Sequence, residues 1–499
     1  MDELHYLGAG ELLVELAARR VSARELLDAH LDRHRTQHTA LNAVVATDPD
    51  RAYAEARRVD DARARNEPLG PLAGLPMTVK DGYDVTGMPA VCGVPALAGR
   101  PRECADADVV AAVRTAGAVV WGKTNVPLML GDMQTYNEVY GTTNNPHDLT
   151  RTSGGSSGGA AAALAGGITP LEIGSDTGGS LRHPANFCGV YALKTTWGQL
   201  SLRGQVPPGP GTYTPMDLGV AGPMARGVAD LRLLYRVLRR SAASDSAPPD
   251  RPPDSVRRGR YRVALWVDEP EFALDREVRV AVERAGALLG EQGVTVEVAS
   301  PPLEAARLMD CYQSILNSTL MSASPDPLYE RLVGRRASAE SGVAAGADRY
   351  SFDSFVLQAT ASFRAVHQAR VVRQELKDAL AEWFRGWDAI LAPVGPVPAF
   401  THRQQQPVTA RSLDVNDREE PYFRLLDWIA LASALHVPAL AAPVGRTDAG
   451  LPLGAQLIGR WGEEEQLLTL GELLEQATGG CRPPVSWVAP ESLPSEWYR

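Results

Sequence analysis

The side chains best placed to do chemistry lie in two glycine-rich runs. They are Gly154-Gly155-Ser156-Ser157-Gly158-Gly159 and Gly174-Ser175-Asp176-Thr177-Gly178-Gly179-Ser180, which start 20 residues apart. Each run brings hydroxyls to a backbone with few side chains in the way, where glycine permits tight turns and close approach to a ligand. That combination suits a serine nucleophile next to backbone N–H groups that hold an anion. Three activating partners come into question. The first run satisfies G-x-S-x-G, but an esterase elbow needs a hydrophobic strand before it. Asn144-Asn145-Pro146-His147-Asp148-Leu149-Thr150-Arg151 is a polar loop instead. A histidine base is the second option; His147 and His183 are the histidines near the runs, and neither sits in a recognisable base motif. The third is a lysine, which is a base near neutral pH only if burial or positive charge pulls it well below ~10.4. The chain carries 46 arginines and four lysines, Lys80, Lys123, Lys194 and Lys377. Arginine does not give up its proton in proteins, whereas buried lysine does. Lys80, after Leu75-Pro76-Met77-Thr78-Val79, reads as the end of a buried strand.

The elements that must position these groups follow from periodicity. Residues 8–66 read as mainly helical, with Ser22 as a cap for Ala23 to His34. Asp108 to Gly117 reads as a helix, Ala118 to Gly122 as a strand, Ala160 to Ala165 as a tightly packed helix start and Leu171 to Gly174 as a strand. Four prolines between Ser241 and Arg260 mark a loop and the best internal boundary. Arg262 to Val267, Val278 to Gln292 and Val294 to Val298 alternate strand, helix, strand, which signals α/β architecture. Residues 303–385 read as helical and irregular. Strands return at Ala389 to Pro393, Val437 to Pro443 and Gly454 to Ile458, before a last helix from Glu463 to Gln476.

Taken together, the two runs, Gly189-Val190-Tyr191-Ala192-Leu193-Lys194-Thr195-Thr196, Lys123-Thr124-Asn125, Gly141 to Pro146, Asp217 to Met224 and Gly454 to Gly459 closely resemble the amidase signature family. The likeness spans roughly residues 5–480. It implies one mixed β-sheet sandwiched between α-helices with an N-terminal helical segment. The segments expected are 1–66 (helical), 67–240 (the motif-bearing core), a linker at 241–260 and 261–499, a second part of the same domain whose region 303–385 builds the substrate pocket. By position it implies Ser180 as the nucleophile of an acyl-enzyme, Ser156 as proton shuttle after a cis Gly155–Ser156 bond, and Lys80 as base. The N–H groups of Thr177, Gly178, Gly179 and Ser180 would form the oxyanion hole. Asp176, Ser157 and Arg182 are expected to support the loops, and Lys123 and Lys194 to be structural. Met129, Tyr136, His183, Tyr213 and Cys311 are expected around the substrate. The implied reaction is hydrolysis of a carbon–nitrogen amide bond without metal or organic cofactor. Carbamates, cyclic or aryl amides, or a glutaminase-type subunit of a tRNA-dependent amidotransferase are the alternatives.

Composition narrows the partners. A net charge of -10 and no Lys/Arg tract argue against nucleic acid. No run of 18 apolar residues suggests a membrane span, and no basic-then-apolar leader is apparent. Five scattered cysteines without a CxxC pair fit reduced thiols in a cytoplasmic protein. The expectation is a monomer or homodimer acting on a small-molecule amide.

Overall fold

The computed structural model describes residues 4–99, 105–206, 216–239, 261–322 and 324–484. Eleven strands form one mixed sheet. In chain order they are β1 (Val44–Thr47), β2 (Pro76–Lys80), β3 (Val119–Thr124), β4 (Leu171–Asp176), β5 (Tyr191–Lys194), β6 (Val220–Ala225), β7 (Arg262–Leu265), β8 (Thr295–Val298), β9 (Ala389–Pro393), β10 (Ala439–Arg446) and β11 (Pro452–Gly459). Across the sheet they run β1-β3-β2-β4-β6-β5-β10-β11-β9-β7-β8. β2 is parallel to both β3 and β4, while β4 and β6 are antiparallel. β5 pairs with β10 through Ala439 opposite Lys194, so strands from either side of residues 241–260 share one sheet. The linker expected at 241–260 lies outside the described residues.

Alternation of side chains decides which layer each residue serves. Val79, Ile173, Leu391, Leu440 and Leu457 join one apolar core. Their neighbours Ile390, Ala392, Ala441 and Ile458 join a second core on the other face. Thr78, Lys80 and Glu172 alternate with Val79 and Ile173, so their side chains leave the sheet on the second face. There the helix Gly158–Ala165, wholly buried, packs against β2 and β4. Its glycines and alanines allow an approach that larger residues would block.

The predicted helices largely stand where the periodicity puts them. Ser22 accepts from Glu25 N–H at 3.1 Å and caps the helix Ala23–Leu41, an arrangement worth about 1 kcal/mol. Region 303–385 holds four helices, Ala305–Met321, Asp326–Ala344, Phe352–Ala359 and Phe363–Trp383. The expectation that residues 8–66 are mainly helical misses β1. Val44-Val45-Ala46-Thr47 is a short β-branched stretch that pairs antiparallel with β3 at the sheet edge. Strands β5 and β6 coincide with family motifs that periodicity alone leaves unassigned. Among the described residues no helix is long and apolar enough to cross a membrane, and no cluster of metal-ligating side chains occurs.

Candidate active site

Lys80 ends β2 and is fully buried. Its Nζ lies 2.7 Å from Ser156 Oγ, 2.9 Å from Ser157 Oγ and 3.0 Å from Ser175 Oγ. Three hydroxyls thus surround one amine, each able to accept its protons or donate to its lone pair. Burial pulls the Lys80 amine down to about 7, against the opposing pull of Cys92, Asp176 and Glu172. Space for this cluster comes from Gly174, the residue after Ile173 on β4. A Cβ there would lie 2.9 Å from Ser157 Oγ and 2.6 Å from a Leu181 methyl. Ser156 follows a cis peptide bond from Gly155.

Ser180 stands on the loop after β4, half-buried, and its Oγ makes no hydrogen bond to the described residues. The two runs are tied together by Ser157 N–H, which donates to the Ser180 carbonyl at 3.1 Å. Asp176 organises the loop from below. Its carboxylate accepts from Gly179 N–H at 2.9 Å and Leu181 N–H at 3.1 Å, and takes two hydrogen bonds from Arg182 at 3.0 Å each. Burial opposes the Asp176 charge, yet the Arg182 guanidinium holds its carboxyl well below the usual range. Arg182 spends its remaining donors on Ile429 O, Gln456 Oε1 and Ser433 Oγ. Gln456 in turn donates to Pro393 and Trp428 carbonyls, which connects the motif on β11 to the loop. Both members of the Asp176–Arg182 pair are fully buried. Asp176→Asn is therefore expected to lower unfolding free energy by about 3–5 kcal/mol, because it strands a buried guanidinium. A denaturant midpoint close to the wild type would refute that role.

Ser156 and Ser180 open onto the same cavity, about 360 Å³ in volume, which Thr177, Gly178, Met133 and Leu426 also line. Among the described residues the N–H groups of Thr177, Gly178 and Ser180 have no hydrogen-bond partner. Gly179 differs from the expectation, since its N–H is committed to Asp176. Gly179 serves the turn instead, at φ +89°, and a Cβ there would meet His183 Cδ2 at 2.5 Å. Gly179→Ala should cost about 1–2 kcal/mol for the backbone alone and displace Ser180. Thermal melting and turnover of that variant check both effects, and wild-type turnover would contradict them.

The mixed sheet and its flanking helices have counterparts among known proteins. The family described as Amidase matches residues 25–468. The chain belongs to the amidase signature family. Within that family it is 34% identical to a glutamyl-tRNA(Gln) amidotransferase subunit of Acidothermus cellulolyticus, over 96% of this chain and 95% of the relative. Solved structures share its fold. One belongs to a vestigial protein complex tied to the origins of an s-triazine catabolic enzyme, at TM-score 0.78 and 30% identity over 95% of this chain and 99% of that one. Another is a 6-aminohexanoate cyclic dimer hydrolase with its substrate, at TM-score 0.77 and 26% identity over 96% and 99%.

For this amidase signature chain the remaining expectations divide. Met129 lines the cavity as expected. Tyr136 does not line it, because its hydroxyl accepts from Arg411 at 2.7 Å and its ring lies under that guanidinium. His183 is turned away, buried with Nε2 2.9 Å from the Leu425 carbonyl. Cys311 faces the helix Phe363–Trp383, donating to Ala369 O at 3.2 Å, while Gln313 and Leu316 of its own helix line the cavity. Tyr213 lies outside the described residues. The other buried lysines are held differently from Lys80. Lys123 pairs with Asp81 at 2.8 Å and donates to Pro89 O. Burial lowers Lys194 to about 7 as well, but its partners are the carbonyls of Thr195 and Val437, so it faces no hydroxyl that could lose a proton. Lys377 is half-buried on the helix Phe363–Trp383, and burial lowers its amine. Ser175, in the second glycine-rich run, adds the third hydroxyl to Lys80. Sequence reasoning missed one residue of the site. Glu172, opposite Thr78 in the β2–β4 register, is a buried carboxyl pushed up to about 8 by burial.

Proposed function

We propose that this protein hydrolyses an amide through an acyl-enzyme on Ser180, with Ser156 as proton shuttle and Lys80 as base. The carrying observation is the 2.7 Å link from Lys80 Nζ to Ser156 Oγ, at the wall of the cavity that also holds Ser180. A neutral Lys80 accepts the Ser156 proton as Ser156 takes that of Ser180. Ser180 Oγ bonds to the carbonyl carbon, and the carbonyl oxygen becomes an oxyanion. The N–H groups of Thr177, Gly178 and Ser180, unpartnered among the described residues, would receive it, each worth roughly 10²–10³ in rate by analogy with other oxyanion donors. As the tetrahedral adduct collapses, the proton returns from Lys80 through Ser156 to the departing nitrogen, and the C–N bond breaks. Water then repeats the sequence and releases the carboxylate. An amine leaves poorly without that proton, which is why the relay suits amides.

A second reading, a glutaminase component of an amidotransferase, is favoured by the 34% identical relative. It uses the same three residues but needs partner subunits. The purified chain alone, given anilides, alkyl amides, carbamates and glutamine, separates the two. Release of carboxylate and amine from an uncharged amide is expected. Hydrolysis of glutamine only, and only when partner subunits are present, would reject the first reading in favour of the second.

A further inference from the structure

The cavity has a direction. Tyr312 Oη donates to the Thr177 carbonyl at 3.4 Å, and a Cβ on Gly178 would sit 3.5 Å from Tyr312 Oη and 4.0 Å from a Leu316 methyl. That turn of the helix Ala305–Met321 therefore rests on the nucleophile loop. From there Gln313, Leu316, Asn317, Leu320 and Met321 continue along the cavity wall. Their spacing of three and four keeps them on one helix face. At 1.5 Å per residue the stretch from Gln313 to Met321 runs about 12 Å away from Ser180. Leu328 and Phe355 extend the lining beyond it.

Among the described residues the wall is largely apolar, and its unpartnered buried side-chain atoms, Gln205 Oε1 and Gln313 Oε1, are uncharged. Met129, Met133, Met216, Phe423 and Leu426 face the cavity, and thioethers adapt to irregular apolar shapes. Asn317 donates to Gln358 Oε1 at 2.7 Å, which ties these two amides together along the wall. Among the described lining residues two are charged, Asp132 and Arg349. The Asp132 carboxylate accepts from Arg411 at 2.6 Å, Tyr422 Oη at 2.8 Å and Met133 N–H at 2.7 Å. Arg349 lies 3.6 Å from Glu271 and 3.8 Å from Asp310, and donates to Ala306 O. A glutamine would bring an ammonium and a carboxylate into this space with no uncommitted counter-charge for the ammonium. Burying unpaired charge is strongly unfavourable.

We propose that the substrate is an uncharged amide whose acyl group is an extended apolar chain lying along the helix Ala305–Met321. The proposal rests on Ser180 being the acylated residue, which fixes where the carbonyl sits. The test measures binding rather than turnover, so that it reads the cavity independently of the chemistry. Calorimetry on Ser180→Ala compares the N-acetyl and N-octanoyl amides of one aniline with L-glutamine. The octanoyl compound should bind at least ~30-fold more tightly than the acetyl one, a small share of what six buried methylenes can supply, and glutamine should not bind detectably. Met321→Trp, made in the same background, should weaken the octanoyl compound at least ~10-fold more than the acetyl one. Equal affinities across the chain lengths, or tighter binding of glutamine, would overturn the proposal. If it is overturned while wild type still forms a Ser180 adduct, the mechanism stands and only the substrate class is wrong. Octanoyl selectivity without any Ser180 adduct would keep the apolar channel and reject the nucleophile.

Discussion

Ser180→Ala should reduce kcat by at least about 10⁴-fold and leave the fold intact. Removing the nucleophile of a cooperating serine site loses nearly all of the covalent route, leaving what binding and the oxyanion donors supply. The structural cost is small for a specific reason. Ser180 Oγ has no hydrogen-bond partner among the described residues, so its removal orphans no buried group. The loop is held instead by the Asp176 carboxylate on Gly179 and Leu181 N–H and by Ser157 N–H on the Ser180 carbonyl. All of these contacts survive the substitution. A variant with wild-type melting behaviour and more than about 1% of wild-type turnover would remove Ser180 as nucleophile, since losing an essential group of this kind costs far more.

Lys80→Met should be nearly as damaging, and its pH dependence carries the argument. The protonated ammonium has no lone pair, so only neutral Lys80 can take the Ser156 proton. Burial brings that amine down to about 7. The sign follows directly: kcat/KM of the wild type should fall about tenfold per pH unit below about 7 and reach a plateau above it. Lys80→Met should lose this acid limb together with most of its rate. Its native fold should persist, because the Ser156, Ser157 and Ser175 hydroxyls that surrounded Nζ can donate to one another. A mildly impaired Lys80→Met enzyme with an unchanged limb near pH 7 would assign the base to another group. Burial also brings the carboxyls of Glu172 and Asp427 and the amine of Lys194 towards this range. Lys194 faces carbonyls only.

How far the sequence speaks depends on whether a residue's partner is near it in the chain. The strand ending in Lys80 was legible because Leu75, Met77 and Val79 are apolar and lysine is rare in this chain. The two glycine-rich runs announced a hydroxyl-bearing loop pair by composition alone. The Asp176–Arg182 pair lies six residues apart and was within reach of local reasoning. The pocket expected of Tyr136 differs from its place in the fold because its partner Arg411 is 275 residues away. His183 failed for the same reason, since the Leu425 carbonyl that holds it is 242 residues distant. The oxyanion donors illustrate a subtler limit. The family resemblance implies four, but the short local bond from Gly179 to Asp176 removes one, and only the loop's geometry reveals it. The edge strand Val44–Thr47 escaped because four residues give too short a pattern to separate from the helices that flank it.

The most direct test of the central claim is mass spectrometry of the trapped enzyme. Wild-type protein mixed with an activated octanoyl ester or anilide and quenched in acid should gain the mass of one octanoyl group. Proteolysis should place that mass on the peptide bearing Ser180, and the adduct should be absent from Ser180→Ala. An octanoyl adduct on Ser156, Ser157, Ser175 or any residue other than Ser180, or one that persists in Ser180→Ala, would contradict the account.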